Sequence, residues 1–321
     1  MCARFIMPEL PDVVLYIEAL QSRVVGQPLR HVSLRSPFVL RSVTPPLEAL
    51  EGQIVHGVHR VGKRIVLTFA QELSLVIHLM IAGRLRWRPT EGLPAADEPH
   101  RRPARPASRQ RAAPPPVKLV LAVFAFDAGL LFFTEAGSKK RASLQVVHGA
   151  DALSALNPGG IEPLTAELDV FRATLTKERH TIKRALTDPK LIGGIGNTYS
   201  DEILHAARMS PLKMSDALTD ADWVRLHRAV QGTLFGWIAR LRDEAGGAFP
   251  EKVTAFRDGM AVHGRFKQPC PTCGSPVQRI VYADNECNYC ATCQTGGRLL
   301  ADRALSRLLK RDWPKALGTD P

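Results

Sequence analysis

The sequence predicts an α+β protein: a β-sandwich with a leading helix, then a helical half that ends in a β-hairpin closed by cysteines. Three observations carry this. Short β-branched runs fill the first 150 residues, apolar residues three or four apart fill the following stretch, and two Cys-x-x-C pairs stand near the end. The 321 residues suffice for two domains, and 45% apolar with 23% charged residues suit ordinary buried cores. Lys and Arg outnumber Asp and Glu by 43 to 31, a net +12 that favours a polyanionic partner, nucleic acid before an anionic membrane surface. No apolar run reaches the ~18 residues of a spanning helix, and Met1–Met7 lack the apolar core of a secretory signal. Membrane and secreted classes are therefore not expected.

The elements follow in order. After Pro11, Val13, Val14, Ile17, Leu20 and Val24 recur at helical spacing, and Gly26 with Pro28 closes the segment. Lys63–Phe69, Leu73–Met80, Leu119–Phe126 and Leu130–Phe133 read as strands, the last two joined by an Asp127-Ala128-Gly129 turn. Between Pro89 and Val117 stand eight of the 24 prolines and five arginines, with almost no large apolar side chain. That segment cannot bury enough surface to offset the entropy of ordering it, so it reads as a mobile insertion. A solvated loop is the simpler reading, a basic arm that grips nucleic acid the other. Trp223, Leu226, Val230, Leu234, Trp237 and Leu241 mark a long amphipathic helix whose aromatics belong to a core. A last helix is expected over Leu299–Lys310.

Five of the six cysteines fall between Cys270 and Cys293, which points to a metal site in a reducing interior. Cys270-Pro-Thr-Cys273 and Cys290-Ala-Thr-Cys293 are 16 residues apart, with Val277, Ile280, Val281 and Tyr282 between them fitting a hairpin. Two such knuckles complete a tetrahedron of thiolates around one structural Zn2+, with no position left for water. Cys287-Asn-Tyr-Cys290 has the same spacing, so a ligand set including Cys287 stays open.

Gly193-Gly194-Ile195-Gly196-Asn197 opens into a helical stretch, Ser200–Ala207. Glycines before a helix N-terminus let backbone N–H groups approach a phosphate, with Asn197 adding a side-chain donor. The same turn also serves packing alone. It is not a nucleoside-triphosphate loop, because no Gly-Lys-Ser/Thr follows.

Three stretches in order carry a family resemblance. Met7-Pro8-Glu9-Leu10-Pro11-Asp12-Val13 resembles the signature start of the formamidopyrimidine-DNA glycosylase/endonuclease VIII family, Gly194–Pro211 its helix–two-turns–helix motif, and Cys270–Cys293 its zinc finger. The resemblance implies a catalytic N-terminal β-sandwich domain over 7–150 with the insertion at 89–117. It further implies a helix–two-turns–helix domain over 151–262, a zinc finger over 263–298 and a C-terminal helical extension over 299–321. It implies a bifunctional base-excision glycosylase and abasic-site lyase whose nucleophile is the secondary amine of Pro8, ending in β,δ-elimination. An α-amine near pKa ~8 is partly neutral at pH 7, whereas a lysine near ~10.4 is not. By the same resemblance Glu9 handles protons at the sugar, and Lys63 contacts phosphate near the lesion. Asn197, Lys183, Gly194, Gly196 and Arg279 meet DNA, and Ile81 with Met80 fills the gap left by a flipped base. Pro8 is internal as the sequence stands, and an amide nitrogen is no nucleophile. The simplest expectation is that translation begins at Met7.

The chain departs from the family pattern in several places, Ile81 standing at the position of the gap-filling methionine and 28 residues following Cys293. Asn285 stands where the finger carries a phosphate-gripping arginine, and Gly137–Ala142 lacks the phenylalanine that accompanies the gap-filling methionine. Oxidised purines such as 8-oxoguanine and formamidopyrimidines are the expected lesions, with oxidised pyrimidines the alternative. A non-catalytic binder of damaged DNA and an RNA-binding zinc protein are the rival classes. The expected partner is double-stranded DNA with an oxidised base or abasic site, met by a monomer without membrane or small-molecule cofactor, in a bacterial cytoplasm and nucleoid.

Overall fold

Helix α1 (Leu10–Val24) forms where the apolar spacing places it: Val13, Tyr16, Leu20 and Val24 are fully buried, with Asp12 in the first turn and Arg23 in the last to suit the helix dipole. The structure is a computed structural model that describes residues 7–90, 115–137, 140–251, 253, 257–282 and 285–300. Most of the Pro89–Val117 insertion, and the helix expected over Leu299–Lys310 beyond Leu300, lie outside the described residues.

Among the described residues, eight strands follow α1 before the helical half: β1 (Leu29–Leu34), β2 (Val55–Val61), β3 (Arg64–Phe69), β4 (Leu73–His78), β5 (Gly83–Pro89), β6 (Val120–Phe126), β7 (Gly129–Glu135) and β8 (Ser143–His148). They make two antiparallel four-stranded sheets, in the orders β1-β6-β7-β5 and β2-β3-β4-β8. The Asp127-Ala128 turn joins Phe126 to its partner Gly129, as its residues suggest. One apolar core unites α1 with both sheets through Tyr16, Leu20, Ile65, Leu75, Phe124, Phe133 and Leu144. Each such side chain contributes roughly 1.5–3 kcal/mol on leaving water, so the sandwich is held mainly by this core.

After α2 (Ala150–Ser154), whose Leu153 packs on Val66, Val76 and Val147 of the sandwich, the helical half contains α3 (Leu168–Leu175), α4 (Ile182–Thr187), α5 (Asn197–Ala206) and α6 (Asp220–Ala245). Trp223 and Trp237 are buried, as their spacing requires; Trp223 meets Phe171 edge-on at 6.1 Å and Trp237 meets Tyr199 at 6.1 Å. The hairpin of β9 (Val277–Tyr282) and β10 (Asn285–Cys290) runs into the short α7 (Ala291–Thr295). Among the described residues the chain divides into two units: Val13–Leu156 with Ala245–Val253, and Pro8–Asp12 with Asn157–Glu244 and the residues from Arg257 onward. The start of α1 thus belongs to the helical unit. No described helix is long and apolar enough to cross a membrane.

Candidate functional site

The helical unit builds its site around Glu9. Gly194, at φ +87°, lies so close to α1 that a Cβ there would stand 2.8 Å from the Leu10 Cβ, and its carbonyl accepts the Leu10 N–H at 2.9 Å. This seats Glu9 on the N-terminus of α5. Its carboxylate accepts the N–H groups of Gly196 at 2.6 Å, Thr198 at 2.9 Å and Tyr199 at 3.2 Å, and Glu9 itself is only 2% exposed. The donors at a helix start are those an anion seeks, and here the chain supplies the anion itself. The reading of Gly194 and Gly196 as a phosphate cradle is corrected accordingly. Both are buried, Gly196 donates to Glu9, and Gly194 serves the packing against Leu10. Pro8, directly before Glu9, is also buried.

Lys183 requires a second correction. Its ammonium does not face solvent to meet DNA; it forms an ion pair with the fully buried Asp201 and donates to the Asn197 carbonyl at 3.0 Å. Burial alone would lower the lysine and raise the carboxyl, but their mutual attraction outweighs it, so Lys183 is raised and Asp201 lowered from their ordinary values. Asp201 further accepts from His263 Nδ1 at 2.8 Å and from the Asn288 N–H at 3.1 Å. Glu202 beside it accepts the N–H groups of Ala261, Val262 and His263 at 2.7–2.9 Å, and burial raises its carboxyl despite those bonds. These carboxylates of α5 fasten the approach to the finger. Sequence reading missed them because their partners lie 18 to 87 residues away.

Asn197 stands at the rim of this network, partly exposed, and its amide donates to the Glu286 carbonyl of β10 at 2.5 Å. Arg279 is exposed on β9, its guanidinium 4.2 Å above the Phe266 ring and 3.7 Å from Glu286. Asn285 opens β10 opposite Tyr282, and the residues between them lie outside the described ones.

The sulfurs of Cys270, Cys273, Cys290 and Cys293 all lie within 4.8 Å of one another, with Cys273–Cys290 at 3.4 Å and Cys270–Cys293 at 4.0 Å. A tetrahedral ion at ~2.3 Å from each sulfur needs sulfurs roughly 3.8 Å apart, so the four fit a metal ion. Cys287 is not among them: it is buried with Ile280, Tyr289 and Leu300, and burial pushes its thiol well up. His205 of α5 places Nε2 3.3 Å from the Cys270 sulfur, a further link between helix and finger.

In the sandwich unit, Lys63 follows Gly62 in the tight turn from β2 to β3, where Val61 pairs with Arg64. His78 pairs with Arg64 across β3 and β4, and burial, then Arg64 and Lys63, push its imidazole down to about 4. Met80 (φ +51°) and Ile81 form the turn between β4 and β5, with Ile81 37% exposed. The turn is tight because a Cβ on Gly83 would stand 2.2 Å from the Leu79 carbonyl oxygen.

Comparison with known proteins agrees with this architecture. Residues 7–135 match the model of the formamidopyrimidine-DNA glycosylase N-terminal domain, and residues 160–242 that of the formamidopyrimidine-DNA glycosylase H2TH domain. A formamidopyrimidine-DNA glycosylase of Thermus thermophilus is 31% identical over 305 residues, covering 91% of this chain and 100% of the relative. A Mycobacterium tuberculosis protein described as an uncharacterized formamidopyrimidine-DNA glycosylase-like protein is 40% identical over 151 residues, which is 47% of this chain and 94% of that one. The crystal structure of the Lactococcus lactis Fpg in complex with abasic-site DNA superposes with a TM-score of 0.72 at 25% identity, covering 89% of this chain and 99% of that one. With both domain models matched in order and the Thermus relative covered end to end, the chain belongs to the formamidopyrimidine-DNA glycosylase family.

Proposed function

We propose that this protein is a bifunctional DNA glycosylase and abasic-site lyase that removes oxidised bases from double-stranded DNA, oxidised purines first, with Pro8 as nucleophile. The observation that carries the reading is the seat of Glu9 on the N-terminus of α5, which fixes the residue beside Pro8 with three N–H bonds in a chain of this family. A secondary amine at Pro8 requires a chain that begins at Met7 and loses that methionine, which leaves Pro8 at the N-terminus. Its lone pair then attacks C1′ of the damaged nucleotide, the N–C1′ bond forms, and the bond from C1′ to the base breaks with the base leaving as its protonated form. The sugar ring opens to an iminium, and loss of a C2′ proton expels the 3′ phosphate; a second elimination expels the 5′ phosphate. Glu9 is the group that handles protons at the sugar.

Lys63 in its turn and Asn197 at its rim are the phosphate contacts of this reading, with Arg279 contributing from the hairpin. Ile81, exposed on a turn held by Gly83, is the apolar side chain that replaces the extruded base, with Met80 beside it. The L. lactis relative's complex with abasic-site DNA supports the same class of partner here. The four cysteines would hold one Zn2+, which supplies structure and no reacting position.

The test is incubation of the chain begun at Met7 with duplexes carrying 8-oxoguanine, formamidopyrimidine or an oxidised pyrimidine. Release of the purine lesions with strand breaks bearing phosphate at both ends is expected. Faster release of the pyrimidine lesion would reassign the substrate, and tight binding with no release of any base would make the protein a reader of damage.

A further inference from the structure

Asp12 and Arg257 form a buried ion pair that the reading above leaves without a role. One Asp12 oxygen accepts the Glu9 N–H at 2.9 Å, and the other is held by the Arg257 guanidinium at 2.5 Å, with side chains 6% and 10% exposed. Arg257 comes from the connection between α6 and the finger, 245 residues along the chain, and lies 3.9 Å from Glu244 at the end of α6. A carboxylate at the third position of a helix caps the N–H preceding the helix without needing such a partner. Here the cap is buried, so its charge acts on its surroundings with little screening. The nearest group of consequence is Pro8. The Pro8 nitrogen is three bonds from the Glu9 nitrogen, which puts it roughly 7 Å or less from the Asp12 carboxylate.

An uncompensated carboxylate at that range would hold a proton on a Pro8 amine and so suppress the nucleophile. We propose that Arg257 is a positioning residue that fixes Asp12 beneath the Glu9 peptide and cancels its charge, so that the Pro8 amine can lose its proton near neutral pH. The inference rests on the reading of Pro8 as the reacting amine. The other charged or titratable groups around this corner are Glu9 just before α1, Lys183 from α4, Tyr199, Asp201 and Glu202 from α5, and Glu244 from α6. Lys183 and Asp201 offset each other as an ion pair, and the Tyr199 hydroxyl, buried with no hydrogen-bond partner among the described residues, is raised by burial and then by Asp12. Asp12 itself is raised by burial, against the opposing pull of Arg257 and the Glu9 N–H.

The experiment is a 15N-proline NMR titration of the Pro8 amine in the chain begun at Met7, with borohydride trapping on an abasic duplex in parallel. Asp12→Asn keeps the cap oxygen and removes its charge, leaving Arg257 alone; the amine midpoint should fall by roughly half a pH unit or more. Adding Arg257→Gln removes both charges and should return the midpoint most of the way to the parent value. The acid limb of the trapping rate should move in the same two directions. A loss of folding order alone would not move a midpoint down and then back. An unchanged midpoint in Asp12→Asn, or a double variant that stays with the single one, would overturn the inference. A parent that traps no DNA would refute Pro8 as nucleophile, while the NMR midpoints would still decide the role of Arg257.

Discussion

Glu9 shows how far one side chain can be placed by the chain around it. Its carboxylate has three N–H donors, and an amide in its place offers one acceptor oxygen and presents a donor to donors. Glu9→Gln is expected to slow base release more than cleavage of a preformed abasic site, by about 100-fold if a general acid is lost. Single-turnover assays on the two substrates check this; equal losses would remove its special part in base departure. Lys183 and Asp201 are a residue-scale matter of stability. Removing the lysine, as in Lys183→Met, leaves a fully buried carboxylate with only His263 and a backbone N–H, and about 3–5 kcal/mol of stability should go. Asp201 is lowered on folding, so its contribution is present above its unfolded pKa of ~3.9 and is lost as pH falls through the lower folded value. Lys183 is raised, so its contribution is present below ~10.4 and is lost as pH rises through the higher folded value. Urea unfolding across pH should therefore show this pair's contribution flat between about pH 4 and 10. A Lys183→Met penalty that vanished already at pH 6 would contradict the pairing.

At the scale of elements, what was legible in the sequence was what local spacing encodes. The buried face of α1, the Asp127-Ala128 turn and the long helix α6 follow from periodicity and turn chemistry. The cysteine knuckles follow from spacing, and the structure gathers the four predicted sulfurs while leaving Cys287 in a small apolar core. What was not legible depends on partners far along the chain. The glycine turn before α5 looks like a phosphate cradle until Glu9, 187 residues earlier, is seen to occupy it. Lys183 reads as a contact to DNA because nothing near it in sequence announces Asp201. The finger supplies its own prediction. Metal analysis should give one zinc per chain. Chelation should unfold the hairpin, since Val262, Cys270, Val277 and Cys290 form a core too small to stand without it. A chain that keeps its melting temperature and hairpin signals after complete zinc removal would contradict a structural ion.

For the molecule as a whole, the sheet orders were the least accessible part of the fold, because β1 pairs with β6 across some ninety residues that include the insertion. The family's two domain models were foreshadowed by short motifs at Pro8-Glu9 and Gly194–Asn197, with the cysteines lying beyond both. The net charge of +12 suits a polyanion and belongs to no single site. Salt should accordingly weaken DNA binding steeply, and Asn197→Ala should reduce the slope of log affinity against log salt by about one phosphate contact. An unchanged slope would count against Asn197 as a phosphate contact. Whether Pro8 is the nucleophile is decided by locating the sugar. The chain begun at Met7 is trapped with borohydride on an abasic duplex, digested with trypsin, and the cross-linked peptide is sequenced by mass spectrometry. A reduced sugar on the Pro8 nitrogen of the peptide that ends at Arg23 is expected, and a sugar on any lysine, or no cross-link despite intact binding, would exclude Pro8 as the nucleophile.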